Sequence, residues 1–260
     1  MNASELKRFT ACGVRAVNAS GALIREYNRK PFHVEVKGDG SPVTSVDLAV
    51  EDQMRENIAA EHPDHGIIGE ERKACAPDSE FVWVIDPIDC TLPFLAGIPV
   101  FGTLLALLHN GAPVLGIIDM PMTGERWIGV DGLQTTRNGK PVHSRPCADL
   151  SMALMSTSNP DFYDHTNVPA LERLKKATRF TVYGGSCMFY AQIASGRVDI
   201  CIDVQFEASD YLALIPVVQG AGGVLTTWEG NAAGLHSGNR YIAAGDPRAH
   251  EQALEILAGK

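Results

Sequence analysis

FVWVIDPIDCT, residues 81–91, runs an apolar, strand-like segment straight into two carboxylates, Asp86 and Asp89, around a proline. Pro87 fixes its own φ and restricts the residue before it, so the turn is stiff. A stiff turn holds two like charges close together, and that is unfavourable unless something compensates. A divalent cation does so. Hard cations such as Mg²⁺ take oxygen ligands in near-octahedral geometry. Two carboxylates leaving a strand supply two of them, and the Ile88 carbonyl between them is a candidate third.

Further acids stand in related places. Glu70 and Glu71 follow the apolar pair Ile67-Ile68, which puts Glu70 at another strand or loop end. Asp47 opens a helix. Asp210 starts the segment SDYLALIPVV, where a negative charge also favours a helix N-terminus. If a helix begins after Asp89, Cys90 and Thr91 sit at its start, where free N–H groups can bind phosphate. Each feature has a plainer reading: an Asp-Pro turn, a helix cap, a charged surface loop. Spacing alone leaves open whether residues 47, 70, 86, 89 and 210 converge.

The 260 residues allow one domain or two smaller ones. A hydrophobic content of 45% with 20% charged residues fits a soluble globular protein. The formal charge of −9, with no basic arm or stripe, argues against a nucleic-acid scaffold but leaves anionic small molecules open. Cysteines at 12, 75, 90, 147, 187 and 201 show no CxxC spacing, and no HxH or HExxH pattern supports zinc catalysis. The N-terminal MNASELKRFTACG lacks a basic segment leading into an apolar one, and no stretch reaches about 18 uncharged apolar residues. A reducing cytoplasm with free thiols and no membrane span is the expectation.

Along the chain, Leu6, Phe9, Val14, Val17 and Leu23 predict a first amphipathic helix ending near Asn28. An extended, hairpin-like segment follows. Val46, Val50, Met54 and Ile58 predict a second helix, with Asp47 and Glu51 on a neighbouring stripe. Strands are expected at residues 81–86, 101–109, 113–119 and 125–130, and Asn138-Gly139 is a hairpin turn signal. From residue 150 helix and strand alternate, including one long helix over SDYLALIPVVQGAGG with a kink at Pro216. Two abutting subdomains, 1–145 and 146–260, account for this pattern.

Taken in order, SPVTSVD, GEE, DPIDCT and ASD resemble the motifs of the inositol monophosphatase superfamily of metal-dependent, lithium-sensitive phosphatases. FGTLLALLHNGAPVLGIIDMPMTGERWIGVDG is most similar to the histidinol-phosphate phosphatase branch. VYGGSCMFYAQIASGRVDICID and IPVVQGAGGVLTTWEG extend the resemblance over nearly the whole chain. It implies an α/β fold, a layered αβαβα sandwich with the site between two subdomains, and a homodimer. It implies Mg²⁺, two or three ions. Glu70, Asp86, the Ile88 carbonyl and Thr91 would surround the first. Asp86, Asp89 and Asp210 would hold the second, with a weaker third near Glu70. Asp47 and Thr44 would position the attacking water, and the amides of Cys90 and Thr91 would hold the phosphate. The implied reaction is in-line attack of a metal-activated water on a small phosphomonoester, histidinol phosphate first, inositol monophosphates and 3′-phosphonucleotides next.

The chain departs from the pattern at four places. Cys90 stands where glycine is usual. If that backbone needs φ > 0, Cys90 carries strain of roughly 1–3 kcal/mol. A nucleophilic Cys90 is disfavoured, since neighbouring carboxylates hold the thiol neutral. Leu92-Pro93 replaces a cation, Ser209 replaces an aromatic, and Ser186 replaces an Asp suited to a cationic amino alcohol. These changes motivate a different class, a non-catalytic binding or scaffold protein; the retained ligand side chains oppose it. Asp203 has two readings, a group facing the substrate's leaving group or an ordinary strand-end acid. Arg126 likewise lies near the site or in a surface salt bridge. Lys37, ahead of Gly38-Asp39-Gly40, touches phosphate or orders a closing loop. Trp83 and Trp127 read as packing groups, and Cys187 and Cys201 as small core residues.

Overall fold

The computed structural model describes residues 2–38 and 40–259; Asp39 of the Gly38–Gly40 loop lies outside the described residues. Helix α1 (Ala3–Tyr27) leads into a short antiparallel pair, β1 (Val34–Val36) and β2 (Pro42–Thr44), and then α2 (Ser45–Glu61). Next come β3 (Gly66–Gly69), β4 (Phe81–Asp89), α3 (Thr91–Ala96), β5 (Gly102–His109), β6 (Ala112–Met120), β7 (Glu125–Val130), β8 (Thr136–Arg137) and β9 (Lys140–Pro141). The remainder is β10 (Leu154–Thr157), α4 (Val168–Ala177), β11 (Phe180–Tyr183), α5 (Ser186–Ala194), β12 (Ile200–Asp203), α6 (Ala208–Tyr211), α7 (Leu214–Gly220), β13 (Val224–Thr227), β14 (Tyr241–Ala244) and α8 (Pro247–Leu257).

Strands β3 to β9 form one seven-stranded sheet in sequence order; β3 is parallel to β4 and the other neighbours are antiparallel. The second sheet runs β11-β10-β12-β14-β13. Strand alternation assigns the layers. On β4, Trp83 and Ile85 face a core made with α1 and α2, while Val82 and Val84 face a core shared with α5 and α7. That second core also takes Cys201, Leu225 and Ala243 from the five-stranded sheet, whose other face packs on α4 and α8. The order is helices, sheet, helices, sheet, helices, the layered α/β architecture expected from the motifs.

The middle layer sits unusually close to the large sheet. Gly116 and Gly129 are cross-strand neighbours on β6 and β7. A Cβ at Gly116 would stand 2.0 Å from the Ala213 carbonyl oxygen, and one at Gly129 2.3 Å from Pro216 backbone atoms. Two bare positions side by side therefore seat the start of α7, and so fix where α6 and Asp210 lie.

Two local expectations are corrected. The long helix with a kink at Pro216 is two helices, and the break falls at Leu212-Ala213. Pro216 has no N–H to offer the carbonyl four residues back, so the ladder fails one turn before the proline. The strand expected to end at Asp86 continues to Asp89, with a register shift between them: Asp86 pairs with Leu104 and Asp89 with Gly102. Pro87 cannot donate to the ladder, and an irregularity of this kind re-aims side chains at a strand end. The Asn138-Gly139 turn is as expected, both residues at positive φ (49° and 74°) between β8 and β9.

Candidate active site

Asp86 and Asp89 leave the distorted end of β4, and Asp210 enters from α6. One carboxylate oxygen of each lies within 4.8 Å of the others. Glu70 joins them: its amide bonds the Ile85 carbonyl (3.1 Å), continuing the β3–β4 pairing past the end of β3. Burial, followed by the charges of Glu70, Asp89 and Asp210, holds Asp86 well above the usual carboxylate range. Asp210 is raised for the same reasons, burial first and then Glu70 and Asp89.

Asp89 is the best supported of the group. Its Oδ1 accepts from Ser186 Oγ (2.8 Å) and its Oδ2 from the Cys187 amide (2.9 Å), so the first turn of α5 grips the carboxylate. Burial still raises its pKa against these donors. Asp210 Oδ2 accepts from the Glu207 amide (2.6 Å) as the acidic member of the α6 cap. Asp86 Oδ1, by contrast, is buried with no partner, and so is Asp47 Oδ1. Buried carboxylate oxygens left bare are unfavourable. An all-oxygen donor set with excess negative charge and unused oxygens fits a hard divalent cation.

Asp47 sits in the first turn of α2. Its Oδ2 accepts from Thr44 N (2.8 Å) and Thr44 Oγ1 (2.5 Å), a capping box that leaves Oδ1 free. Burial pushes its pKa up to about 6 against those donors. Lys37 Nζ bonds Glu70 (3.0 Å) and Glu71 (2.6 Å), so of its two readings the loop-ordering one matches its contacts. Thr91 Oγ1 donates to the Ile88 carbonyl (3.2 Å), tying two candidate ligands together at the start of α3. Cys90 caps that helix at φ 70°, ψ 52°, the left-handed region that favours glycine. Its thiol is raised well above the ordinary value by burial and then by Asp89, which removes the condition for a nucleophile.

Three residues proposed near the substrate have their polar groups engaged by other partners. Ser186 grips Asp89 and so serves a candidate ligand rather than a substrate. Asp203 is 3% exposed, with its acceptors taken by Thr157 Oγ1 (3.1 Å), the Ser158 amide (2.7 Å) and Tyr190 Oη (3.0 Å); burial pushes it up to about 7. Arg126 Nε pairs with Asp119 (2.6 Å), and both line a separate cavity of about 340 Å³ with Val14, Asn18 and Arg25. The salt-bridge reading of Arg126 matches these contacts.

Glu51 was passed over as half of a helical stripe. It is fully buried and accepts from the Glu71 amide (2.8 Å), the Arg72 amide (3.2 Å) and Arg55 Nε (2.7 Å), so it shapes the segment that presents Glu70. The available signal was Gly69, where a Cβ would meet Glu51 Oε1 at 1.9 Å.

Clustered carboxylates with spare oxygens, beside a helix start at the end of a sheet, define a candidate divalent-cation site. The chain belongs to the Inositol monophosphatase family, which matches residues 5–259. Members of this family are phosphatases that hydrolyse phosphomonoesters, and this chain is an enzyme of that class. The family is in general Mg²⁺-dependent. The chain is 42% identical over 263 residues to the bifunctional phosphatase IMPL2, chloroplastic, of Arabidopsis thaliana, covering 98% of this chain and 76% of that one. It is 32% identical over 213 residues to a histidinol-phosphatase of Chlorobaculum parvum, covering 81% and 82%. A solved inositol monophosphatase from Zymomonas mobilis matches with a TM-score of 0.89 at 36% identity, covering 99% of this chain and 100% of that one. Among the described residues no helix is long and apolar enough to cross a membrane.

Proposed function

We propose that this chain hydrolyses histidinol phosphate at the acidic centre between β4, α2 and α6. The observation that carries the site is the meeting of Asp86, Asp89 and Asp210 oxygens within 4.8 Å, with Asp86 Oδ1 left without a partner. The substrate choice is supported by the histidinol-phosphatases among the relatives. Inositol monophosphate is the second reading, favoured by the Zymomonas mobilis likeness.

Glu70, Asp86, the Ile88 carbonyl and Thr91 would hold one Mg²⁺, and Asp86, Asp89 and Asp210 a second, with room for a weaker third at Glu70. Bound Mg²⁺ supplies Lewis-acid stabilisation of the phosphoryl and leaving oxygens. The chain's own groups do the rest. Asp47 Oδ1 is a free acceptor, oriented by the Thr44 cap, for a proton of the attacking water. The amides of Cys90 and Thr91, at the start of α3, would donate to the phosphate. Lys37, bonded to Glu70 and Glu71, draws the β1–β2 loop toward the carboxylates. Residues 1–145 and 146–260 act as two subdomains that supply ligands from both sides, and the working unit is a homodimer.

Phosphate release by the pure protein in Mg²⁺, compared across histidinol phosphate, inositol-1-phosphate and 3′-phosphoadenosine 5′-phosphate, tests the choice. The expected result is the highest kcat/KM for histidinol phosphate. A higher value for inositol-1-phosphate overturns it in favour of the second reading.

A further inference from the structure

Away from the acidic centre, α1 and the C-terminal end of α2 bring Cys12, Glu61 and His62 together, with one ligand-type atom of each inside a mutual distance of 4.8 Å. Cys12 is 1% exposed, His62 caps α2 at 8% exposed, and Glu61 stands beside them at the surface. His62 Nε2 is buried with no hydrogen-bond partner. Leaving such an atom bare is unfavourable. The ring stacks on His65 at 4.6 Å and meets the edge of Phe9 at 5.1 Å, and neither contact satisfies the nitrogen.

We propose that Cys12, Glu61 and His62 form a binding site for a borderline-soft divalent cation of the zinc class, distinct from the acidic centre. The donor chemistry separates the two. Thiolate, imidazole and carboxylate suit zinc, whereas the clustered ligands of the acidic centre, Asp86, Asp89 and Asp210, are all carboxylates. Position separates them too: Asp47 opens α2 and His62 closes it, about 22 Å apart at 1.5 Å per residue. A tetrahedral zinc with bonds of about 2.0–2.3 Å holds its ligand atoms about 3.3–3.7 Å apart, so a small contraction of the cluster completes the site. Three protein ligands leave the fourth position to water. Arg15 holds both Glu61 oxygens (2.8 and 2.5 Å) and orients that carboxylate from outside. The ion would clamp α1 to α2.

The proton balance is defined. Burial pushes the Cys12 thiol up to about 11, so the free site carries S–H. His62 is shifted down by burial and then by Arg8, and Glu61 is shifted down by its bond to Arg15. Binding breaks the S–H bond, forms the sulfur–metal bond and sends about one proton per ion to the buffer.

The test is Co²⁺ titration of folded protein in a Cys75→Ser background, which removes the exposed thiol. Thiolate coordination gives a near-ultraviolet sulfur-to-cobalt charge-transfer band, and an all-oxygen site gives none. With the acidic centre held in excess Mg²⁺, the expected result is that band saturating at one Co²⁺ per chain, displaced by Zn²⁺, absent in Cys12→Ala, with about one proton released in calorimetry across buffers. Glu61→Gln, at the surface, should keep the fold and weaken binding about tenfold or more, so the proposal stays testable if Cys12→Ala fails to fold. No band in the Cys75→Ser protein, or a band that survives Cys12→Ala or is unchanged in affinity in Glu61→Gln, overturns it.

Discussion

Asp86→Asn should make the metal-free protein more stable while it disables the enzyme. Two carboxylates with oxygens within 4.8 Å of each other repel by about 3 kcal/mol or more at an effective dielectric constant of ~20. Asp86 meets that repulsion from more than one neighbour, and burial adds to it. Protonation caps the penalty: neutralising an ordinary aspartate at pH 7 requires about 4 kcal/mol. A gain of about 2–4 kcal/mol in EDTA at pH 7 follows. The sign with pH is fixed. A folded pKa raised above the unfolded one gives stability that is present below about pH 4 and lost as pH rises through the raised value. The advantage of Asp86→Asn over wild type should therefore be small near pH 4 and grow toward pH 8. Mg²⁺ should narrow the gap, since wild type gains about 2.7 kcal/mol at a hundred times Kd and the variant gains less. Urea unfolding in EDTA and in Mg²⁺, at several pH values, reads all of this. A variant less stable than wild type in EDTA at pH 7, or one that gains as much from Mg²⁺, would refute the reasoning.

Three further outcomes are expected. Cys90→Gly should be more stable than Cys90→Ala by about 0.5–1 kcal/mol in thermal unfolding, because the left-handed backbone penalty of about 1–2 kcal/mol outweighs the glycine's extra unfolded freedom. Ser186→Ala should raise the Mg²⁺ concentration for half-maximal phosphate release about tenfold with the fold intact, since Asp89 keeps the Cys187 amide but loses the Ser186 hydroxyl. His65 is pulled down to about 4 by burial and then by His62, and its Nδ1 accepts from Trp83 Nε1 (3.0 Å). Its neutral form is the stabilising one, so stability should be full above about pH 6.5 and fall as pH drops through 4. Discounted for its partial exposure, that loss is about 1 kcal/mol, and His65→Gln should remove it from urea midpoints compared at pH 7.5 and 5.

The elements were legible where one local rule dominates. Stripes gave α1 and α2, short apolar runs gave β5 to β7, and Asn138-Gly139 gave its hairpin. Rules that act at a distance along the chain were harder to read. Pro216 breaks the helix a turn ahead of itself, and Pro87 lets β4 carry on to Asp89 with a shifted register. In the site, the candidate ligands were named from ordered motifs, since no spacing joins residue 47 to residue 210. The roles of the supporting residues stayed open in the sequence for a common reason. A serine at 186 or an aspartate at 203 has the same local signature whether it faces substrate or a buried partner. Only the fold shows that Ser186 meets Asp89, that Asp203 is saturated by Thr157, Ser158 and Tyr190, and that Arg126 belongs to Asp119. Glu51 was hidden because its role is set by the backbone of residues 71 and 72.

The central claim is that the Asp86, Asp89 and Asp210 cluster is a catalytic metal centre. Phosphate release from histidinol phosphate and inositol-1-phosphate, by wild type and Asp89→Asn in Mg²⁺ and in EDTA, tests it most directly. The account predicts turnover of at least one of them by wild type in Mg²⁺ alone, falling to background with EDTA and in Asp89→Asn. Turnover that persists in EDTA, or in a folded Asp89→Asn protein at the wild-type rate, would contradict it.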